Sequence, residues 1–477
     1  MTDNARSTLL VLGAVALIVF LLILLWPQYL SNSSTLAIVI AAQLMLVAVA
    51  KYRTAFFPVL ITVFLLAGAN LPLHAVFLRA RWVVLALAAS VGIAIYLKDA
   101  THHFRTFHLV ALFCILSAAV SAFVSEYPAE SRLKAASLFL LFLYSLSGAR
   151  VAVPTIHPER FFHRLLLGCE ILVCITAFCY LALRVQILGN PNSLGAVMGV
   201  VVVPVLLWGL LITESGPTRI RLGFELATAT MLLMSSFARA GIGAALFSSC
   251  LLCVCLKRYR LLIKGVVAAS LLATCVVVFL PRLSNGPNIG RSESIGSAFL
   301  YKGHNSGGVF GSRQSVWQET WSAIQQNPWF GTGFGTSLTS GDLTRMNYAS
   351  NHIDSWVVRE HGNSYLAIAE WTGLLGVLPF YLLVALTAIG AGSVFKSLRR
   401  TGNAFSAAVP AAAIIAAGLF HAMFEDWMFA VGYYLCVFFW AIAFIMMDVL
   451  PRRTIVYPPE MFIPIPSRYA GAAAAGQ

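Results

Sequence analysis

The side chains best suited to chemistry in this chain gather in a few short stretches. The segment EHGNSYLAIAEWTGLLG (360–376) opens an apolar run with His361 and Asn363 and carries Glu370 inside it. An imidazole titrates near neutrality and can take a proton from a hydroxyl at physiological pH. A carboxylate within an apolar run is costly in a bilayer, so it marks a functional candidate. Glu370 lies nine residues after His361, about two and a half turns along a helix that reaches so far. A structural or arginine-pairing role is expected for it ahead of a catalytic one. Asn363 suits the cap of the following helix.

Three arginines stand at the ends of other apolar runs: Arg184 before ILGNPNSLG, Arg239 in SSFARAG, and Arg313 at the head of RQSVWQETWSAIQQNP. A guanidinium fork matches phosphate bidentately. For one arginine alone, snorkelling or a structural ion pair is the commoner use. Three on one side of a membrane, beside His361 and Glu370, describe an anion site with a base next to it.

Other motifs carry less. WFGTGFGTS (329–337) has glycines at 331, 333 and 335, but no strand precedes it and no lysine follows, so a flexible turn is expected, not a nucleotide loop. No D-x-D occurs, and the only adjacent acids are Glu425 and Asp426, so metal-free and cofactor-free chemistry is expected. His421 and Glu425 lie at the ends of the last two spans, as supporting positions or plain helix-end polar residues. CLLCVC (250–255) sits in an apolar run without histidine or acid, which suits structural cysteines. The long polar loop holds no cysteine, and no disulfide framework is implied.

Composition says what must position these residues. Of 477 residues, 59% are hydrophobic and 10% charged, against roughly 25% charged in a soluble domain. Apolar runs near the bilayer-spanning length recur at 8–26, 35–50, 54–70, 82–98, 107–124, 134–150, 162–183, 192–214, 221–237, 240–256, 261–280, 363–392, 404–422 and 426–448. Short runs such as 35–50 and 240–256 can be half-helices, so the expectation is an all-α polytopic bundle of 12–14 transmembrane helices. The net charge of +14 is read as the positive-inside rule and not as a nucleic-acid surface. Alternate connections are basic: KYR (51–53), TRIR (218–221), KRYR (257–260), KSLRR (396–400) and the PRR that opens the tail. Both termini are therefore expected in the cytoplasm, with His102 and His103 as ordinary loop residues. The divisions are 1–280, N-terminal spans; 281–362, an outer loop; 363–450, C-terminal spans; and 451–477, a cytoplasmic tail. Within the loop, Val316, Trp317, Thr320, Trp321 and Ile324 share one face of an amphipathic helix over 313–327, suited to the membrane–water interface.

The ordered series R…GNPNSLG, SSFARAG, SRQSVW…NPWFGTGFG and HGNSYLAIAEWTGLLG resembles the O-antigen ligase/polymerase superfamily of bacterial inner-membrane glycosyltransferases, over roughly residues 180–450. The family's signature separates the position of Asn363 from that of Gly373 by nine residues, and Gly373 from Gly376 by two, as here. Its histidine position holds Gly362, with His361 one residue earlier. The HNS at 304–306 lacks the required glycine. The resemblance implies a GT-C-like fold and transfer of a glycan from undecaprenyl diphosphate to a sugar of lipid A–core at the periplasmic face, inverting and metal-independent. It implies His361 as base, Arg239 and Arg313 as essential arginines, and Arg184, Asn363 and Glu370 as contacts to diphosphate or acceptor. Expected partners are the lipid-linked glycan, lipid A–core and membrane lipids, with no nucleic acid. Rival readings are an O-antigen polymerase, a protein O-oligosaccharyltransferase, and a lipid-linked glycan transporter or flippase. Transporters favour inverted repeats and helices broken at mid-membrane, whereas the polar residues here gather at one face.

Overall fold

Long runs of Leu, Val, Ala and Phe fold as helices because a bilayer leaves each backbone group no partner outside its own segment. The computed structural model describes residues 56–70, 74–98, 104–154, 157–279, 311–337 and 360–450, with no strand among them. The spans expected at 8–26 and 35–50, His102, His103, the HNS at 304–306 and the tail 451–477 lie outside the described residues.

Among the described residues, nine helices precede the long loop. They are α1 (Phe56–Ala67), α2 (His74–Lys98), α3 (Thr106–Val124), α4 (Pro128–Tyr144, continued by the π-helical turn Ser145–Ala149), α5 (Glu159–Ala182), α6 (Pro191–Ile212), α7 (Gly216–Ser235), α8 (Arg239–Cys255) and α9 (Tyr259–Phe279). The loop contributes α10 (Gly311–Gln326). After it come α11 (Ser364–Thr401), α12 (Ala408–His421) and α13 (Tyr434–Val449). Every span expected between 54 and 448 is met by a helix, and the protein is an all-α, multi-pass membrane protein. Among the described residues, five helices are long and apolar enough to cross a bilayer: α2, α3, α5, α6 and α11. α2 starts earlier than expected and takes Arg79 and Arg81 into its first turns. α13 starts later, because residues 422–433 form a loop that serves the site described below.

A helix that is apolar all round lies either inside a bundle or against lipid. α12 and α13 are such helices, and nearly every residue of each is buried. α6 shares the centre: its most apolar window is 89% buried, against 33–44% for the other four long spans. Those four leave large apolar side chains outward, among them Phe123, Phe178 and Leu378, as lipid-facing helices must. α6 and α8 approach as closely as backbones can. A Cβ at Gly241 would fall on the backbone of Gly195, and one at Gly199 on that of Gly241. Such small-residue crossings replace the hydrophobic effect as the cohesive device within lipid. This crossing fixes where α8 begins, and therefore where Arg239 stands.

The two ends of the bundle differ in charge. α8 and α11 start at one end, at Arg239 and Ser364, and finish at the other in KRYR and KSLRR. At that basic end Arg150, 1% exposed, clamps Asp448 of α13 bidentately, Nε to Oδ2 at 2.6 Å and Nη2 to Oδ1 at 2.7 Å. Its guanidinium lies over the Tyr96 ring at 5.3 Å.

Candidate functional site

The site is assembled at the other end, where the chain enters α11. Asn363 caps that helix, its Oδ1 accepting from the amides of Tyr365 and Leu366 at 2.9 and 3.2 Å. Gly362 has φ +60, a left-handed turn that only glycine adopts cheaply. The turn folds His361 back over the helix start. His361 Nε2 thereby stands 3.3 Å from Glu370 Oε2, and both side chains are fully buried. On the other side of the ring, Asp426 Oδ2 accepts from the His361 amide at 2.7 Å and stands 3.2 Å from Nδ1. Ser364 ties the loop carrying Asp426 to the helix start: its amide donates to the Ala422 carbonyl at 2.9 Å, and its hydroxyl to the Glu425 carbonyl at 2.6 Å. His421, buried at the end of α12, accepts from Trp427 Nε1 at 2.7 Å and supports the same loop.

These contacts decide the local electrostatics. Burial alone would strip His361 of its proton, but hydrogen bonds and charge from Asp426 and Glu370 outweigh it and raise its pKa above the usual value. Asp426 responds in the opposite sense. Its burial, which would raise its pKa, is outweighed by bonding to His361, and the carboxyl stays below its usual range. Side-chain exposure along the row falls from 23% at Asp426 to zero at His361 and Glu370, so Asp426 is the member that reaches outward.

Arginine lies alongside. α10 packs on α11 through Thr320, Ala323 and Ile324, and its first turn delivers Arg313, whose Nη2 meets Glu425 Oε1 at 2.5 Å. A Cβ at Gly362 would fall on that guanidinium, so the glycine at the histidine's expected position makes room for the arginine. Arg239, at the start of α8, is close enough to Arg313 for their charges to repel. Burial raises the Glu425 carboxyl's pKa against the pull of Arg313.

α11 is broken at Gly373, with φ 65 and ψ −176. The break frees carbonyls that lipid could not satisfy, and two elements take them. Thr332 and Gly333 amides donate to the carbonyls of Glu370 and Trp371 at 2.9 and 3.1 Å. The hydroxyls of Ser121 and Ser117 in α3 donate to those of Trp371 and Gly376 at 2.5 and 2.7 Å. In return, Leu374 and Leu375 amides donate to the Pro328 and Trp329 carbonyls. Residues 331–337, expected as a flexible turn, are instead buried throughout and tied by Ser131 and Lys134 of α4 to the carbonyls of Phe334 and Gly335. Ser337 ends this segment with its Oγ 3.3 Å from His361 Nε2.

The comparison with known proteins bears on this same part of the chain. Residues 224–381 match the family model described as O-Antigen ligase. That match, over part of the chain, supports placing the protein in the O-antigen ligase/polymerase superfamily. No curated protein matches the chain. The superfamily consists of glycosyltransferase-like ligases and polymerases that work on lipid-linked glycans in membranes, so an enzyme embedded in a membrane is the general conclusion. The matched stretch takes in Arg239, Arg313, His361, Asn363 and Glu370; Arg184, Glu425 and Asp426 lie outside it.

The structure thus brings His361, Glu370, Arg313 and Arg239, all within the matched stretch, to one end of the bundle. Glu370 pairs with the imidazole where an arginine was expected. Arg184 is exposed at the end of α5 with φ 55, and no hydrogen bond or ion pair joins it to the cluster among the described residues. Asn363 has its side-chain oxygen engaged as a helix cap. Of the residues expected to share the apolar face of the amphipathic helix, Thr320 and Ile324 are buried, together with Ala323, while Trp321 is 57% exposed. Asp426 and Ser337 were not singled out as site residues. An acid pair between two of the most apolar helices was the available signal for Asp426; nothing in the sequence marked Ser337. Among the described residues, no group of three or more His, Cys, Asp and Glu side chains could hold a metal ion.

Proposed function

We propose that this protein is the ligase of the superfamily, transferring polysaccharide from undecaprenyl diphosphate to a sugar of lipid A–core. The observation that carries the reading is an imidazole held between two carboxylates with two arginines beside it, at the bundle end opposite the basic connections. That charge distribution supports a site facing the periplasm of the inner membrane.

A diphosphate leaving group needs its negative charge neutralised more than it needs a proton. Arg313 and Arg239 supply that neutralisation, with Glu425 as the resting partner that the diphosphate displaces from Arg313. The acceptor hydroxyl needs a base. The Asp426–His361 pair takes up its proton as the hydroxyl attacks, and the two groups titrate as a unit. Attack by the acceptor itself inverts the anomeric carbon. No step calls for a metal or cofactor. Arg184, Asn363 and Glu370 serve as the outlying contacts, Glu370 by holding the imidazole from behind.

Reconstitution with lipid-linked glycan, lipid A–core and a chelator tests the reading. Glycan appearing on lipid A–core, and lost in His361→Gln, supports it. Extension of the lipid-linked glycan without modification of lipid A–core makes the protein a polymerase, and transfer to a protein acceptor alone makes it an oligosaccharyltransferase. Movement of the intact lipid-linked glycan across the bilayer without transfer makes it a transporter. Activity abolished by chelator and restored by Mg²⁺ defeats the metal-free mechanism.

A further inference from the structure

The imidazole of His361 is contested at one nitrogen. Among the described residues, Nδ1 faces Asp426 alone, but Nε2 has two neighbours at the same 3.3 Å, the Glu370 carboxylate and the Ser337 hydroxyl. The two ask opposite things of the ring. A carboxylate can only accept, so Glu370 is satisfied when Nε2 carries a proton. With Asp426 accepting from Nδ1, satisfying both acids requires the imidazolium. A hydroxyl can donate, so of these two neighbours Ser337 is the one able to bond the bare nitrogen of a neutral ring while Glu370 is ionised.

We infer that Ser337 is a positioning residue that favours the neutral Nδ1–H tautomer of His361, the form able to accept a proton, and so opposes the pull of Glu370 toward the imidazolium. The surroundings are built to present that hydroxyl. Thr332 and Gly333 bind the carbonyls freed by the Gly373 break, Ser131 and Lys134 hold the next turn, and Thr336 Oγ1 bonds Ser125 Oγ at 2.8 Å. All seven residues from Gly331 to Ser337 are buried. Gly331 and Gly373 meet so closely that a Cβ on either would strike the other's backbone or its neighbours'. The segment and the broken helix are therefore one rigid unit carrying both Nε2 neighbours, Glu370 from the helix and Ser337 from the segment. Among the described residues, the charged groups facing the ring are Glu370 from α11, Asp426 from the 422–433 loop, and the Arg313–Glu425 pair across Gly362. Trp371 presents only its ring, at 5.4 Å from the imidazole centroid.

The role of the neutral imidazole in transfer rests on the ligase reading, but its titration does not, and the test separates them. Full-length protein in lipid nanodiscs, labelled with ¹⁵N-histidine, is titrated, with the His361 signal assigned by its loss in His361→Gln. In Ser337→Ala the His361 midpoint moves to higher pH. Ser337→Thr, which keeps the hydroxyl, moves it back. Transfer by Ser337→Ala falls roughly tenfold at mildly acidic pH, the worth of about one hydrogen bond, and recovers towards wild type at alkaline pH. Ser131→Ala loosens the same segment without touching the ring and leaves the midpoint in place. An unchanged midpoint in Ser337→Ala, or an equal shift in Ser131→Ala, overturns the inference. A shifted midpoint with an unshifted transfer profile upholds the tautomer assignment and removes His361 as the base of the ligase reading. A shifted midpoint without transfer to lipid A–core in wild type upholds the inference and defeats the ligase reading.

Discussion

Two buried charge clusters stand at opposite ends of this bundle, and they are made for different things. At the basic end, Arg150 and Asp448 form a bidentate pair with the guanidinium over Tyr96. As a residue type arginine keeps its charge at any working pH, so such a pair is a fixed clamp between α4 and α13. At the other end, the cation is an imidazole, set between two carboxylates and a hydroxyl. Burial and hydrogen bonding there oppose each other, so the charge of the ring is a matter of balance. The burial is alike; the partner chemistry differs. A protein that needs only cohesion uses the group that does not titrate, and one that must move a proton uses the group that does.

Mutation at each end breaks the comparison in its own way. His361→Gln removes a general base and lowers transfer by about 10²–10⁴-fold, while the thermal midpoint in lipid changes far less than the rate does. Arg150→Ala does the reverse: it strands Asp448 beside a buried void and costs about 3–5 kcal/mol of stability. That loss is read by thermal unfolding in nanodiscs, with transfer per folded molecule kept. Should Arg150→Ala abolish turnover in folded protein, the clamp is not merely cohesive.

Smaller effects sharpen the contrast. Gly362→Ala forces a left-handed residue to carry a Cβ, costing about 1–2 kcal/mol, and pushes the Arg313 guanidinium from its place. The expected outcome is weaker binding of lipid diphosphate, seen as a raised KM for the donor, with the pH profile kept. The pH dependence of stability is the mildest test. His361 binds its proton more tightly when folded, so its contribution is complete below its ordinary 6.5 and vanishes as pH rises through the folded value. Asp426 holds its proton less tightly when folded, so its contribution is complete above its ordinary 3.8 and vanishes as pH falls through the folded value. Thermal midpoints measured across pH should peak between those limits in wild type and flatten in His361→Gln.

Most of the fold was legible from the chain. Runs such as 434–449 and 408–421 must be helices because lipid permits little else, but an all-apolar helix can face lipid as well as protein, so their central place came from the structure. The family likeness was legible too, through arginines and glycines in fixed order. Boundaries failed where a loop served the site: the acid pair Glu425–Asp426 interrupts what hydropathy reads as one span from 426.

The site itself was legible as a set of residue types and not as a set of contacts. The sequence by itself determined a multi-pass bundle with one polar end, a base candidate in His361, and phosphate-binding candidates in Arg239 and Arg313. It placed Glu370 two and a half turns from His361, because helical rise was the only ruler available. Only the tertiary structure brought the two within 3.3 Å, through a left-handed Gly362, and set Asp426 and Ser337 on the remaining edges of the ring. Hydropathy is additive along the chain and survives being read one residue at a time. A hydrogen bond between residues 24 or 65 positions apart depends on turns, breaks and backbone approaches that no local pattern contains.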